Sequence, residues 1–249
     1  MKKQLLFNFK TDISSFDIPS ELNNPFGVNV PEIAKIAAEE FQDFIAIESD
    51  KWNYNFHTQK GKMFGVLVVQ NQDKTYSYLG TVSGKLPGRL YCERFIPSVF
   101  DDSIDDFFIN RGMTELTRIG DQIKKTENPS EIYKLKEKSR LKSIALQKQL
   151  FENYNFVNLS GKEENLIHIF KNSSHGNPPV AAGDCTAPKL LQYAIEHELK
   201  PIAIAEFWWG SPIKKNGKKH KAYYPACKDR CRPILEYMLE DTTLFDSCQ

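Results

Sequence analysis

Residues 183–194 run Gly-Asp-Cys-Thr-Ala-Pro-Lys-Leu-Leu-Gln-Tyr-Ala, and this stretch decides how the C-terminal part of the chain folds. Apolar residues recur at helical spacing from Leu190 to Ala194, and Pro188 suits a first helical turn, where its missing N–H costs no hydrogen bond. Cys185 is therefore expected at a helix N-terminus. The exposed N–H groups and the positive end of the helix dipole favour a thiolate there.

Two further cysteines follow a predicted strand. Residues 202–209, Ile-Ala-Ile-Ala-Glu-Phe-Trp-Trp, are apolar and should form a buried strand. Beyond a basic loop, Cys227 and Cys231 lie four residues apart at the start of another helical pattern, which places both sulfurs on one helix face. Together with Cys185 they predict a three-sulfur zinc site whose fourth position is either open to water or filled by a protein ligand. The candidate fourth ligands are Asp184, His175 and His220.

An alternative is that the three cysteines are small buried hydrophobic residues. Charged neighbours around Cys227 and Cys231 make this an unusual way to fill a core. Cys92 and Cys248 lie outside any motif, and we treat them as incidental.

Composition excludes several classes of protein. The 249 residues allow one large domain or two small ones, and a net charge of +1 excludes a globally basic nucleic-acid binder. We find no apolar stretch of eighteen residues, so no transmembrane helix is expected. The apolar run at the N-terminus breaks at Asn8, too early for a signal peptide. We therefore expect a cytoplasmic protein, and a reducing cytosol disfavours structural disulfides. The number of cysteines, five, is odd, and those placed close together suggest a metal site or catalysis more than a disulfide.

The remaining pattern predicts a single α/β domain over residues 1–249. Its sheet and helices come from residues 1–84 and 176–240, with a helical insertion at about residues 100–172. The predicted elements are a strand at 4–9, an amphipathic helix at 31–47, strands at 63–69 and 75–82, helical structure over 104–152 and a short helix at 163–171. Many lysines interleave the apolar residues of 130–152, which predicts either a solvated helical hairpin or an arm that contacts RNA phosphates.

The order of cysteine helix, strand and cysteine helix resembles the zinc nucleobase deaminases, whose signature is H-x-E or C-x-E followed by P-C-x-x-C. This resemblance implies a three-layer α/β sandwich of the cytidine-deaminase type. Two features depart from the family. The second cysteine pair is spaced C-x-x-x-C, and Ala187 occupies the position of the Glu that moves the proton. Asp184 and Glu206 are the candidate catalytic substitutes, so whether the chain is an enzyme stays open.

A second resemblance covers nearly the whole chain. Several segments look like the N-terminal extension of RluA-type pseudouridine synthases, which precedes their catalytic domain; they are residues 62–69, 83–86, 183–194, 205–210 and 224–227. The resemblance implies a link to RNA modification, with rRNA or tRNA and a synthase catalytic domain, in cis or in trans, as partners. The synthase H-R-L-D-type motif is absent from this sequence, since Gly88-Arg89-Leu90 continues into Tyr91. We therefore expect RNA binding without synthase chemistry, either in a stand-alone relative or in a piece of a longer protein.

Four residues are candidates for RNA contact. Trp209 would stack on a base, Lys85 lies at a strand end expected beside the cysteine helix, and Lys219 and His220 belong to a basic loop. Three functions follow: a zinc-containing RNA-binding module, a divergent zinc hydrolase with a base-sized pocket, or a structural zinc domain that docks a protein.

Overall fold

The computed structural model describes residues 5–52, 54–86, 92–100, 106–212 and 217–240. The strands are β1 (Phe7–Asn8), β2 (Lys62–Gln70), β3 (Tyr76–Val82), β4 (Asn155–Val157), β5 (Glu163–Asn165) and β6 (Lys200–Trp209). The helices are α1 (Glu32–Lys51), α2 (Asp106–Lys125), α3 (Pro129–Phe151), α4 (Leu166–Lys171), α5 (Thr186–Glu196) and α6 (Lys228–Met238). None of these helices combines the length and apolarity that crossing a bilayer requires.

A four-stranded antiparallel sheet forms the centre, in the order β1-β3-β2-β6. The apolar strand β2 is central and buried on both faces, which explains why it is a continuous hydrophobic run. The turn between β2 and β3 is closed by the N–H of Asn71, which donates to the carbonyl of Thr75 at 2.8 Å. This hairpin, and β6 beside it, confirm the three strands predicted for the sheet.

Helices cover both faces of the sheet and make three layers. On one face, Ile33, Ala37 and Phe41 of α1 join a core with apolar side chains of β2 and β6. Gly80 of β3 permits this packing, because a Cβ there would overlap the ring of Phe41. On the other face, α5 and α6 pack through a second core that includes Leu190. The predicted α/β class is confirmed.

The insertion differs in part from its prediction. The helices α2 and α3 form an antiparallel hairpin, and Asn128 caps α3 by accepting from the N–H groups of Ser130 and Glu131. The short helix predicted at 163–171 begins only at Leu166, because residues 163–165 pair with β4 as β5. Of the N-terminal strand predicted at 4–9, residue 4 lies outside the described residues, and within 5–9 the strand covers Phe7–Asn8. The helix α1 continues to Lys51 instead of ending at residue 47.

Candidate metal centre

The three cysteines lie at the N-termini of two helices that pack against each other. Cys185 is the residue before α5, Cys227 is the residue before α6, and Cys231 lies in the first turn of α6. Both capping residues have extended backbones, and neither side chain accepts a capping hydrogen bond. Their thiols are therefore available to bind a ligand, and the helix dipoles favour the thiolate form.

The distances between the sulfur atoms suit a single metal ion. The Sγ atoms of Cys185 and Cys227 are 3.8 Å apart, and those of Cys227 and Cys231 are 3.3 Å apart. All three lie within 4.8 Å of one another. In a tetrahedral zinc site with bonds of about 2.3 Å, ligand sulfurs lie about 3.8 Å apart. The structure thus brings together the three cysteines that the sequence predicts as ligands, although they come from separate segments.

The ionisation of these thiols is coupled. The neighbouring Cys185 and Cys231 thiols hydrogen-bond to Cys227 and lower its pKa. The same interactions, together with burial, raise the pKa of Cys185 and of Cys231. Cys227, the solvent-exposed member, is therefore the first to ionise. Three thiolates together need a cation to offset their charge, so metal binding and release of the remaining protons are linked.

Two lysines supply positive charge beside the sulfurs. Lys189 lies one turn after Cys185 on α5, is almost fully buried, and donates from Nζ to the carbonyl of Val82 at 2.5 Å. Burial lowers the pKa of Lys189 to about 8, while Asp184 and Cys185 favour the charged form. Burial also lowers the pKa of Lys218, against the attraction of the nearby carboxylate and thiols. These ammonium groups partly balance an anionic thiolate site.

Glu206 of β6 reaches the start of α5 from the neighbouring strand. Its Oε1 accepts a hydrogen bond from the N–H of Ala187 at 3.2 Å. Burial raises the pKa of the Glu206 carboxyl to about 7, and the negative charge of Cys227 acts in the same direction, while the Thr186 hydroxyl opposes the rise. The carboxyl group thus contacts Ala187, which occupies the position of the Glu in the deaminase signature.

The cleft beside Glu206 is very small. Its free volume is about 10 Å³, room for about one water molecule, whereas ligand pockets usually offer roughly 300 Å³ or more. The loop around Asn23 forms one wall, and the Asn23 side chain bonds both backbone groups of Ile204 on β6. Within the described residues, the base-sized pocket expected of a deaminase-type hydrolase is therefore not found at this point.

The predicted fourth ligands lie elsewhere. Asp184 accepts a hydrogen bond from the Tyr154 hydroxyl at 2.8 Å, and His220 accepts one from the N–H of Gly210 at 3.0 Å. His175 packs against Phe170. Among the described residues, the only group of potential ligands at this position is the three cysteines.

Of the four predicted RNA contacts, Trp209 and His220 lie side by side. Trp209 is only 5% exposed and points into the α1 core, because successive strand residues alternate between faces. Its ring centroid lies 4.5 Å from that of His220, which covers it. The expectation that Trp209 offers an open face for a base is therefore wrong for this conformation.

The other two candidates, Lys85 and Lys219, are exposed lysines. The N–H of Gly84, next to the exposed Lys85, donates to the carbonyl of Asp184 at 2.7 Å, so this strand end adjoins the cysteine helix as expected. Lys219 is exposed, and its backbone N–H donates to the Tyr224 hydroxyl at 2.7 Å.

Sequence reasoning missed Lys189 and Lys218. Lys189 carried a usable signal, because a residue four positions after Cys185 lies on the same face of the helix. Lys218 carried none, since its loop returns to the site only through tertiary folding. Its Nζ lies 3.1 Å from the sulfur of Met63 and 4.7 Å from the ring centre of Tyr224.

Comparison of the chain with protein-family models, curated proteins and solved structures gives no match. The chemistry of the donor set is itself informative. Three thiolates form a soft site that suits zinc and disfavours magnesium or calcium, which bind oxygen ligands. Bound zinc would cross-link the N-termini of α5 and α6.

Proposed function

We propose that this chain is a zinc-binding module of RNA modification, related to the N-terminal region of RluA-type pseudouridine synthases, which binds RNA without carrying out synthase chemistry. The convergence of Cys185, Cys227 and Cys231 within 4.8 Å supports the zinc site. The resemblance to the synthase extension supports the link to RNA. Exposed lysines, Lys85 at the strand end beside the cysteine helix and Lys219 in the loop after β6, supply charge for phosphate contacts.

The zinc would act mainly as a clamp in this proposal. Cys185, Cys227 and Cys231 would hold it, and the ion would supply a rigid link between two helix ends that otherwise meet only through side-chain packing. That link would keep the loop carrying Lys218 and Lys219 close to the strand end at Lys85, so that one surface presents both.

Metal content tests the site directly. We expect the purified protein to hold one zinc per chain and the Cys227→Ser variant to lose at least tenfold in zinc affinity. Cys92→Ser is the matched control, because Cys92 is a buried cysteine in the other core and should leave zinc content unchanged. Wild-type protein that binds no zinc when fully reduced would exclude the site.

Salt dependence tests the RNA part. We expect binding to a tRNA or an rRNA fragment that weakens steeply as the salt concentration rises. Lys219→Ala should reduce the slope of the logarithm of the binding constant against the logarithm of the salt concentration by about one, which corresponds to one phosphate contact. Lys200→Ala, at the opposite end of β6, should leave the slope unchanged. If wild-type protein binds no RNA at low salt, the RNA role is wrong while the zinc site stands.

The position of Glu206 favours a second candidate, a zinc-dependent hydrolase of the deaminase type. A buried carboxyl group against Ala187 is placed to exchange a proton with a water near the cysteines. An ammonia-release assay over free nucleobases and nucleosides separates the two functions. The module predicts no release, whereas release that is lost in Glu206→Gln but retained in Glu196→Gln would establish the hydrolase.

A further inference from the structure

The cysteine cluster is open to solvent on one side. Cys227 is exposed, whereas Cys185 and Cys231 are buried, with 8% and 1% of their surfaces exposed. Each of the three sulfurs is a thiolate when it binds zinc, and the thiolate is the form of cysteine that oxidants attack. A small oxidant that arrives from solvent therefore reaches the sulfur of Cys227 before the other two.

A partner for an oxidised Cys227 lies within the same helical turn. The Sγ atoms of Cys227 and Cys231 are 3.3 Å apart, and the N–H of Cys231 donates to the carbonyl of Cys227 at 3.2 Å. A disulfide bond of about 2.05 Å requires these two sulfurs to approach each other by only about 1 Å. Cys185 is more distant, with its Sγ 3.8 Å from that of Cys227, and it lies at the start of the other helix. The geometry therefore favours Cys231 as the partner.

We propose, on the basis of the zinc site proposed above, that Cys227 and Cys231 are a peroxide-responsive pair whose oxidation to a disulfide releases the zinc. In the first step the sulfur of Cys227 attacks one oxygen of hydrogen peroxide, the O–O bond breaks, and Cys227 becomes a sulfenic acid. In the second step the sulfur of Cys231 attacks the sulfur of the sulfenic acid, whose S–O bond breaks as the disulfide forms.

The two steps balance without a further reactant. Each step expels a hydroxide, which takes a proton from solvent and becomes water. Two thiolates are oxidised to one disulfide while one peroxide is reduced to two waters, and a dithiol reductant reverses the change.

The disulfide would separate the two helix ends without unfolding the protein. Disulfide sulfurs carry no negative charge, so only Cys185 of the three ligands stays a thiolate, and the zinc link between α5 and α6 is lost. Leu190 of α5 and Ile234 of α6 are fully buried in the same core. The helices therefore stay packed while their N-termini are released from each other.

Zinc release tests the switch. Zinc-loaded protein in reductant-free buffer is titrated with hydrogen peroxide, and a colorimetric chelator records the free zinc. We expect about one zinc released for each peroxide consumed, and zinc binding restored after dithiothreitol is added. Cys92→Ser is the matched control and should release zinc in the same ratio, because Cys92 is buried in the other core.

Failure of the switch differs from failure of the zinc site. Protein that holds no zinc before peroxide is added would overturn both. Protein that holds one zinc and keeps it through about ten equivalents of peroxide would overturn the switch alone.

Peptide mapping identifies the oxidised pair. Trypsin cleaves after Lys228 and Arg230, which lie between the two cysteines, so their disulfide is detected as two linked peptides. We expect a link between Cys227 and Cys231 with Cys185 free to be alkylated, and the same link in Cys185→Ser. In Cys231→Ser, the sulfenic acid of Cys227 should accumulate and react with dimedone. A link between Cys185 and Cys227, or zinc release with no disulfide, would overturn the proposal.

Discussion

The carboxyl group of Glu206 illustrates how a single residue can depend on its surroundings. In the sequence it is one acidic residue in an otherwise apolar strand. In the fold it is buried between β6 and the first turn of α5, with the N–H of Ala187 as a donor. Burial disfavours the charged form more than this hydrogen bond favours it, so the pKa rises to about 7.

This raised pKa predicts how stability responds to pH in the metal-free protein. The group is protonated in the folded state up to about pH 7, whereas in the unfolded chain it ionises near pH 4.5. The stability that the neutral Glu206 carboxyl contributes is therefore fully present below pH 4.5 and is lost as pH rises through about 7. The free energy of unfolding decreases by roughly 3 kcal/mol over this range. Glu206→Gln should remove this part of the pH dependence.

The measurement is urea denaturation between pH 4 and pH 8 after zinc has been removed. The variant should be the more stable protein at pH 8 and should approach wild type at the acid end. Glu196→Gln, on the exposed side of α5, should follow wild type throughout. A Glu206→Gln profile parallel to wild type would show that the buried carboxyl does not titrate in this range.

At the scale of elements, β6 lies at one edge of the sheet, and its outer side must be covered. Asn23 does this at one point, where its side chain accepts from the N–H of Ile204 at 2.7 Å and donates to the carbonyl of the same residue at 3.2 Å. Further along, the segment containing Ala222 and Tyr224 bonds the backbone of β6. A covered edge is protected from pairing with other chains.

Asn23→Ala should therefore destabilise the protein by about 2 kcal/mol, since two hydrogen bonds are lost and both backbone groups of Ile204 are left without their partner. Thermal or urea denaturation measures this. Asn153→Ala is the control, because the Asn153 amide makes one exposed bond at the end of α3. Equal effects from the two variants would contradict the proposed role of Asn23 at the strand edge.

The helical hairpin offers a matched pair of glycines on one helix. A Cβ at Gly112 would lie 2.6 Å from a Leu146 methyl of α3, whereas a Cβ at Gly120 would meet nothing within 4 Å. Gly120→Ala should stabilise the protein by roughly 0.5–1 kcal/mol through helix propensity. Gly112→Ala should forfeit this gain and cost about 1–3 kcal/mol, because the side chain of Leu146 must move.

Hydrogen exchange over the two helices, together with the thermal midpoint, distinguishes these outcomes. Faster exchange confined to α2 and α3 in Gly112→Ala would match the close packing. Equal stabilisation by both substitutions would mean that the helices are not held this close in solution.

At the scale of the whole molecule, a zinc ion at the cysteines would link the N-terminus of α5 to that of α6, two helices on the same face of the sheet. Zinc bound at about a thousand times its dissociation constant adds about 4 kcal/mol to stability. For a chain of this length, chelation should then lower the melting temperature by about 10 °C. Cys227→Ser should melt at the lower temperature and should not respond to the chelator, whereas Cys92→Ser should keep the response.

Much of the architecture was predictable because local patterns dictate it. The hairpin of β2 and β3, the buried strand β6, and the helices that follow Cys185 and Cys227 are all visible as apolar periodicity bounded by turn residues. The clustering of the three cysteines was also predictable, since their places at helix N-termini and the four-residue spacing favour a shared site over core packing.

Other features arise only when distant segments meet. No local pattern indicates that Glu206 contacts Ala187, that Lys218 returns to the sulfurs, or that Trp209 turns into the α1 core. Periodicity and spacing therefore determined the elements and the cysteine cluster of this protein. Burial, charge proximity and the small cleft beside Glu206 were decided by tertiary packing alone, because they depend on which side chains exclude water from one another across the sheet.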